Sequence, residues 1–156
     1  MDAAPLAAAA AAPPETGAFP WLTRAFWVVA GLVAWGVLGA AAWLRPDGRG
    51  FGTHQQLGLP PCMFEAMVGV PCPGCGLTTS FAHMAHGHVF QAFGAHLMGP
   101  FLFVLTLAVG VAWPWAVKRA YPVGAVLAHR ATAPVLSVTL AAGLTTLGLR
   151  LARHFL

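Results

Sequence analysis

AFWVVAGLVAWGVLGAAAWL, residues 25–44, is a run of apolar and small side chains that contains no charged residue. A helix needs about 20 such residues to cross the hydrocarbon core of a bilayer, and this run has that length. Arg24 and Arg45 bracket it, at positions from which long cationic side chains reach the lipid headgroups. Trp27 and Trp43, near its two ends, are typical of the aromatic belt at a membrane interface. The run therefore predicts a transmembrane helix.

Two more uncharged runs, residues 97–117 and 131–149, have the length and character of the first. Basic residues stand at their ends: Lys118, Arg119, Arg130 and Arg150. Of the 156 residues, 58% are apolar and 8% are charged, against roughly 25% charged in an ordinary soluble domain. So few charges cannot cover a water-soluble surface. The sequence thus predicts an all-α, multi-pass membrane protein.

Residues 77–95 predict a fourth, less apolar helix. It contains His83, His86 and His88, and neutral imidazoles are tolerated inside a helical bundle better than facing lipid. Whether this helix crosses the bilayer, re-enters it or lies at the interface is left open. The expected fold is therefore three to four transmembrane helices, with a cysteine-bearing loop before the second helix. Three spans divide the basic residues equally between the two sides, whereas four spans favour a cytoplasmic cysteine loop.

The chain divides into a tail and one membrane domain. Residues 1–19 are rich in Ala and Pro and lack the basic start of a secretory signal, so they predict a disordered tail. Residues 20–156 predict a single helical membrane domain. Its helices are expected at about residues 25–44, 77–95, 97–117 and 131–152, with the cysteine loop at residues 57–76.

All three cysteines of the chain, Cys62, Cys72 and Cys75, lie in this loop. A Cys-x-x-Cys turn brings two sulfurs within a few ångströms of each other, which suits either tetrahedral zinc or a disulfide. In a zinc site, Cys72 and Cys75 form the knuckle and Cys62 is a third ligand. His54, on a flexible connector, or a water molecule is the fourth ligand. Zinc is the cofactor that this interpretation expects. The two interpretations that follow expect no cofactor.

Two other interpretations of the cysteines stay open. Cys75 is expected beside a helix N-terminus, where the macrodipole lowers a thiol pKa, so Cys72 and Cys75 could serve a membrane thiol-disulfide oxidoreductase. Cys62 would then be the shuttle thiol. Alternatively, the cysteines form a structural disulfide, and the chain is a disulfide-stapled assembly partner of another membrane protein. A cytoplasmic loop favours metal because thiols stay reduced there, and an outward-facing loop favours a disulfide.

The run VPCPGCGLT, residues 70–78, preceded by Cys62 and followed by His86 and Gly87, carries a family resemblance. It resembles the DUF2752 family of uncharacterised bacterial membrane proteins, which share a Cys, then Cys-Pro-x-Cys-Gly, then Thr-Arg and a helix with His-Gly-Asp. Thr79 stands where the family usually has Arg, and His88 where it usually has Asp. The family carries no established activity, so the resemblance implies a fold and no reaction. It also implies a location in the bacterial inner (plasma) membrane.

Polar residues after the cysteines offer a second candidate site. His83 and His86 are three residues apart and share a helix face, the spacing of paired metal ligands or of a proton relay. Thr78, Thr79 and Ser80 are interpreted as hydroxyls that satisfy the amides of the first helical turn.

Motifs of the common enzyme classes are absent from the sequence: there is no Ser-His-Asp set, P-loop, GxGxxG or HExxH. With four Asp and Glu in total, carboxylate-based hydrolysis is nearly excluded. The net charge of +4 is spread over the span ends, which indicates lipid headgroups and not nucleic acid. The sequence leaves open whether the chain is an enzyme. It favours an integral membrane protein whose three-cysteine loop binds structural or regulatory zinc, in contact with the bilayer and with a membrane-protein partner.

Overall fold

The computed structural model describes residues 19–69, 72 and 74–155, and this part of the chain is helical and contains no β-strand. The predicted all-α fold is confirmed. The α-helices, numbered here in chain order, are α1 Pro20–Trp43, α2 Met63–Val68, α3 Leu77–Ala85, α4 Val89–Ala95, α5 Gly99–Arg119, α6 Val123–Ala128 and α7 Thr132–Phe155. A 3₁₀ helix, Thr53–Leu57, lies between α1 and α2. The disordered tail was predicted for residues 1–19. All of these except Phe19 lie outside the described residues.

Three helices are long and apolar enough to cross a membrane: Pro20–Trp43, Gly99–Arg119 and, within α7, Thr132–Leu149. They correspond to the three uncharged runs of the sequence, so the prediction of three spans is confirmed. Large apolar side chains such as Leu32, Val111 and Leu140 are more than half exposed on these helices. Such exposure is unfavourable in water and ordinary in lipid, which indicates that the surrounding medium is a bilayer.

Helices α1 and α5 pack against each other in antiparallel orientation. Near one end, the indole Nε1–H of Trp27 donates to the carbonyl oxygen of Tyr121 at 2.8 Å. Two turns further along α1, Trp35 Nε1–H donates to the carbonyl oxygen of Gly110 at 2.9 Å. Trp27 is therefore buried against α5 instead of facing the headgroups, because its N–H is satisfied within the protein.

Residues 77–95, predicted as one helix, are two. Helix α3 ends at Ala85, α4 begins at Val89, and between them Gly87 has φ +77°, a left-handed conformation that glycine adopts without a Cβ clash. At 1.5 Å per residue, these helices are about 14 and 11 Å long, too short to cross a core of about 30 Å. The structure thus corrects the fourth helix to a helical hairpin.

The hairpin formed by α3 and α4 packs against the end of the α1–α5 pair. Ser80 Oγ donates to the carbonyl oxygen of Ala92 at 2.8 Å and so joins its two arms. Phe81 stacks edge-on against Phe103 of α5, with ring centroids 5.5 Å apart. At the far end of α5, Thr132 of α7 lines a cavity together with Trp27.

The order of the three spans places the cysteine loop and the hairpin at one end of the bundle, with α6 at the other. Helix α7 returns antiparallel to α5, since Gly143 in its second half lies against Met98, just before α5. Thr146 lines a cavity with Phe93 and His96 at the same end. With three spans the basic residues are divided equally, so the charge argument for a cytoplasmic cysteine loop, which needed four spans, no longer applies.

Candidate metal centre

The three cysteines come together at the starts of two helices. Cys62 directly precedes α2, and Cys75 lies one residue before Gly76, which precedes α3 with φ +87°. The amide of Cys75 donates to the carbonyl oxygen of Cys72 at 3.0 Å, closing a tight turn. Val70, Pro71 and Pro73, which belong to the motif, lie outside the described residues.

The sulfur atoms are close enough to share one ion. All three Sγ atoms lie within 4.8 Å of one another. Cys72 Sγ donates to Cys75 Sγ at 3.3 Å, a non-bonded contact well above the roughly 2.05 Å of a disulfide. Two thiolates bound tetrahedrally to zinc, at about 2.3 Å from it, stand about 3.8 Å apart. The observed spacing therefore fits a metal knuckle after shifts of less than about 1 Å.

The thiols of Cys62 and Cys75 differ strongly in acidity. Burial, followed by hydrogen bonding to Cys72 and Cys62, raises the pKa of the Cys75 thiol to about 12. The backbone N–H of Glu65, followed by the thiol of Cys75, lowers the pKa of Cys62 to about 7. The sequence placed the acidic thiol at Cys75, beside the start of α3, and the structure corrects this to Cys62. Desolvation of a buried thiolate outweighs the helix terminus at Cys75, whereas Cys62 is more open to solvent and receives donors.

His54, the predicted fourth ligand, is not part of this cluster. Its Nε2 lies 3.2 Å from the carbonyl oxygen of Pro60. Among the described residues, the ligand atoms close enough to share an ion are those of Cys62, Cys72 and Cys75. His54 as a ligand remains a prediction that requires the connector to move.

Two buried hydroxyls join the 3₁₀ helix before the cysteine loop to the hairpin. Thr53 Oγ1 and Thr79 Oγ1 are 2.8 Å apart, and the amide of Asp47 donates to Thr53 Oγ1 at 3.0 Å. No side-chain hydrogen bond caps α3, so Thr79 and Ser80 do not satisfy first-turn amides as the sequence suggested. They bond instead to residues distant in sequence. Thr53 carries no local signal of this role, because its partner is 26 positions away.

The histidines of the hairpin form a separate cluster. The ring centroids of His83 and His88 are 5.8 Å apart, and those of His86 and His88 are 6.4 Å apart. The predicted pair of His83 and His86 is thus joined by His88. The reason is the left-handed turn at Gly87, which folds the chain back after α3.

A predominantly apolar cavity of about 260 Å³ adjoins the cysteine turn. It lies between the end of α1 and the first turns of α3, and Leu44, Leu77 and Phe81 are among its lining residues. Leu77, one of the lining residues, follows Cys75 by two positions in the sequence. The cavity therefore lies beside the first residues that follow the cysteine turn.

The model of the family described as "Protein of unknown function (DUF2752)" matches residues 62–110. The matched segment begins at the first cysteine, continues through the hairpin and ends inside α5. The resemblance inferred from the cysteine motif is confirmed over this segment, which includes both the sulfur cluster and the histidine cluster. Neither the curated proteins nor the solved structures contain a match to the chain.

Proposed function

We propose that the chain is a non-catalytic, multi-pass protein of a bacterial inner membrane in which Cys62, Cys72 and Cys75 bind a structural or regulatory zinc ion. The observation that carries this proposal is the convergence of the three sulfurs within 4.8 Å, at non-bonded distances. Thiolate ligands favour zinc over magnesium or calcium, which prefer oxygen. Three protein ligands leave one coordination position for water, for His54, or for a group of a partner protein.

The ion would connect parts of the chain that have few other links. Cys62 belongs to the start of α2, while Cys72 and Cys75 belong to the turn that leads into α3. Binding would therefore fix α2 against the hairpin, and the free energy of metal binding would add to the stability of the loop. A loop held in this way at the membrane surface is suited to contact a membrane-protein partner, which makes the chain an assembly component in this proposal.

Metal content of the purified protein tests the proposal directly. Protein prepared in detergent without chelators is expected to contain close to one cysteine-bound zinc per chain, and Cys62→Ser, Cys72→Ser and Cys75→Ser are each expected to lose it. Because the three ligands act as a unit, each single change should cost nearly as much as all three. Met67→Ser is the matched control, since Met67 lies on α2 and is 80% exposed.

The expected result for Met67→Ser is unchanged zinc content and unchanged thermal stability. Metal-free wild-type protein that binds no added zinc, together with a Cys62→Ser variant of unchanged stability, would rule out the metal site. A cysteine site that retains zinc after Cys75→Ser would also contradict the proposal, because Cys75 is one of its three ligands.

The apolar cavity beside the turn favours a second candidate, a membrane thiol-disulfide oxidoreductase using Cys72 and Cys75. In this function the two thiols would form a disulfide and pass two electrons and two protons to an acceptor disulfide or to a lipid-soluble two-electron acceptor in the cavity. Their 3.3 Å separation requires little movement for the bond to form. Cys62, with its pKa of about 7, would supply the attacking thiolate for exchange with a partner.

Mass-shift alkylation of thiols in freshly lysed cells separates these functions. An interconverting mixture of oxidised and reduced Cys72 and Cys75 supports the oxidoreductase. Reduced thiols that react only after a chelator is added support zinc. A Cys72–Cys75 disulfide that never interconverts supports the remaining alternative, a disulfide-stapled assembly partner.

A further inference from the structure

The turn between α3 and α4 gathers three imidazoles and no carboxylate from its own segment. His83, His86 and His88 lie within six consecutive residues. No Asp, Glu, Lys or Arg occurs between Glu65 and Lys118. Positively charged imidazoles would repel one another at ring separations of 5.8 and 6.4 Å. Neutral imidazole is the form that binds a metal ion, so three imidazoles in a segment without other ionisable side chains are a candidate donor set.

The backbone of the turn fixes the positions of the three residues. The amide of His88 donates to the carbonyl oxygen of His83 at 2.8 Å, and the amide of Gly87 donates to that of Met84 at 3.1 Å. Gly87 itself is left-handed, with φ +77°. These main-chain contacts bring His88 back over the last turn of α3.

Two of the imidazoles are already placed as ligands require. His86 Nδ1 lies 2.8 Å from the carbonyl oxygen of Ala82, which assigns the proton to Nδ1 and leaves Nε2 as an electron-pair donor. Metal-binding histidines almost always make such a bond through their second nitrogen. His83 Nδ1 is buried and has no hydrogen-bond partner among the described residues. A buried nitrogen of this kind is costly unless a proton donor or a metal ion satisfies it.

The ligand nitrogens of the three imidazoles are not yet close enough to share an ion, and the ring separations show how far they must move. Two imidazoles bound to one tetrahedral ion, with metal–nitrogen distances of about 2.0 to 2.1 Å, have ring centroids about 5 Å apart. The observed separations of 5.8 and 6.4 Å exceed this by roughly 1 Å. His88 is exposed, so rotation of its side chain can narrow the gap without repacking the core, while His86 keeps its bond to Ala82.

We propose that His83, His86 and His88 form a second metal site, independent of the cysteines, for a borderline divalent ion such as Zn²⁺. Three imidazole nitrogens from the hairpin turn would occupy three positions of a tetrahedral ion, and the exposed side of the turn leaves the fourth to water. Imidazole ligands select late first-row divalent ions over Mg²⁺ and Ca²⁺. The site would stiffen the tip of the hairpin, away from the cysteine turn at its base.

Zinc titration of the full-length chain in detergent, in competition with a chromophoric chelator, tests this site. The Cys62→Ser, Cys72→Ser, Cys75→Ser triple variant removes the sulfur ligands and is expected to bind one Zn²⁺. Adding His83→Gln, His86→Gln or His88→Gln to it is expected to weaken binding at least about 10-fold. His129→Gln is the matched control, since His129 is exposed at the opposite end of the bundle, and it should leave binding unchanged.

A conservative variant separates ligation from a structural role. His88→Asp supplies a carboxylate, which also binds zinc, so it should retain most of the affinity that His88→Gln loses. If the cysteine triple variant does not fold, wild-type protein is compared with the His83→Gln, His86→Gln, His88→Gln triple variant. The proposal expects the histidine changes to remove one bound zinc while the cysteine-bound zinc remains. Equal zinc stoichiometry and affinity with and without the three histidines would overturn it.

Discussion

Replacing Gly31 with alanine should destabilise the pairing of α1 with α5. A Cβ at Gly31 would lie 2.5 Å from two ring atoms of Trp113 and 2.9 Å from its Cβ, far inside van der Waals contact. Trp113 cannot simply move away, because the helices are held on both sides of this point. Trp27 Nε1–H bonds to Tyr121 at 2.8 Å and Trp35 Nε1–H bonds to Gly110 at 2.9 Å.

The expected cost follows from these contacts. Separating the helices by about 1 Å would relieve the clash but would stretch both hydrogen bonds beyond normal length, each worth about 0.5 to 1.5 kcal/mol. Alternatively, the ring is forced from its rotamer, and overpacking of this kind costs about 1 to 3 kcal/mol. Alanine also gains up to about 1 kcal/mol in helix propensity, so the appropriate reference is another glycine of α1. Gly36 supplies that reference, since a Cβ at this position would have no neighbouring atom within 4 Å.

Reversible unfolding in mixed detergent micelles, followed by far-ultraviolet circular dichroism, measures the difference. Gly31→Ala is expected to be less stable than Gly36→Ala by about 1 to 3 kcal/mol. Far-ultraviolet dichroism is preferred to tryptophan fluorescence because Trp113 itself is displaced. Equal stability of the two variants, or greater stability of Gly31→Ala, would refute the close approach of α1 and α5 at this point.

Two further predictions concern topology and thiol acidity. With three spans, single cysteines introduced at Gly48 and Gly124 should react with an impermeant maleimide from opposite faces of intact vesicles. The labelling is measured above the background of the wild-type cysteines. Labelling of both positions from the same face would mean that the hairpin crosses the membrane. In metal-free protein, Cys62 should be alkylated faster as pH rises through about 7, because its thiol loses its proton there, while Cys75, with its pKa of about 12, stays unreactive at neutral pH. Rates measured by mass spectrometry that rise first at Cys75 would contradict this order.

The three spans are encoded locally, because membrane insertion depends on the apolar character of a continuous stretch. Residues 25–44 carry that information, and no distant contact is needed to recognise it. The sulfur cluster was also predictable, since Cys72 and Cys75 are separated by two residues of a turn. The family match over residues 62–110 adds to the same local signal.

The structure of the segment between the first two spans depends instead on contacts between residues that are distant in sequence. Helical periodicity continues through residues 77–95, and a single glycine inside a helix is tolerated, so Gly87 alone did not predict that the helix would end there. The left-handed turn is stabilised by contacts such as that of Ser80 with Ala92, which exist only once the hairpin has folded. His88 joins His83 and His86 for the same reason.

The acidity of the thiols depends on burial, which sequence position does not specify. A helix start lowers the pKa of a nearby cysteine, and this rule favoured Cys75. In the folded chain, Cys75 is buried while Cys62 receives the donors, so the order is reversed. The donor to Cys62 is the backbone N–H of Glu65, in the first turn of the helix that begins at Met63. The burial of Cys75 is set by the fold around it, whereas the apolar length of a span is set within the span itself.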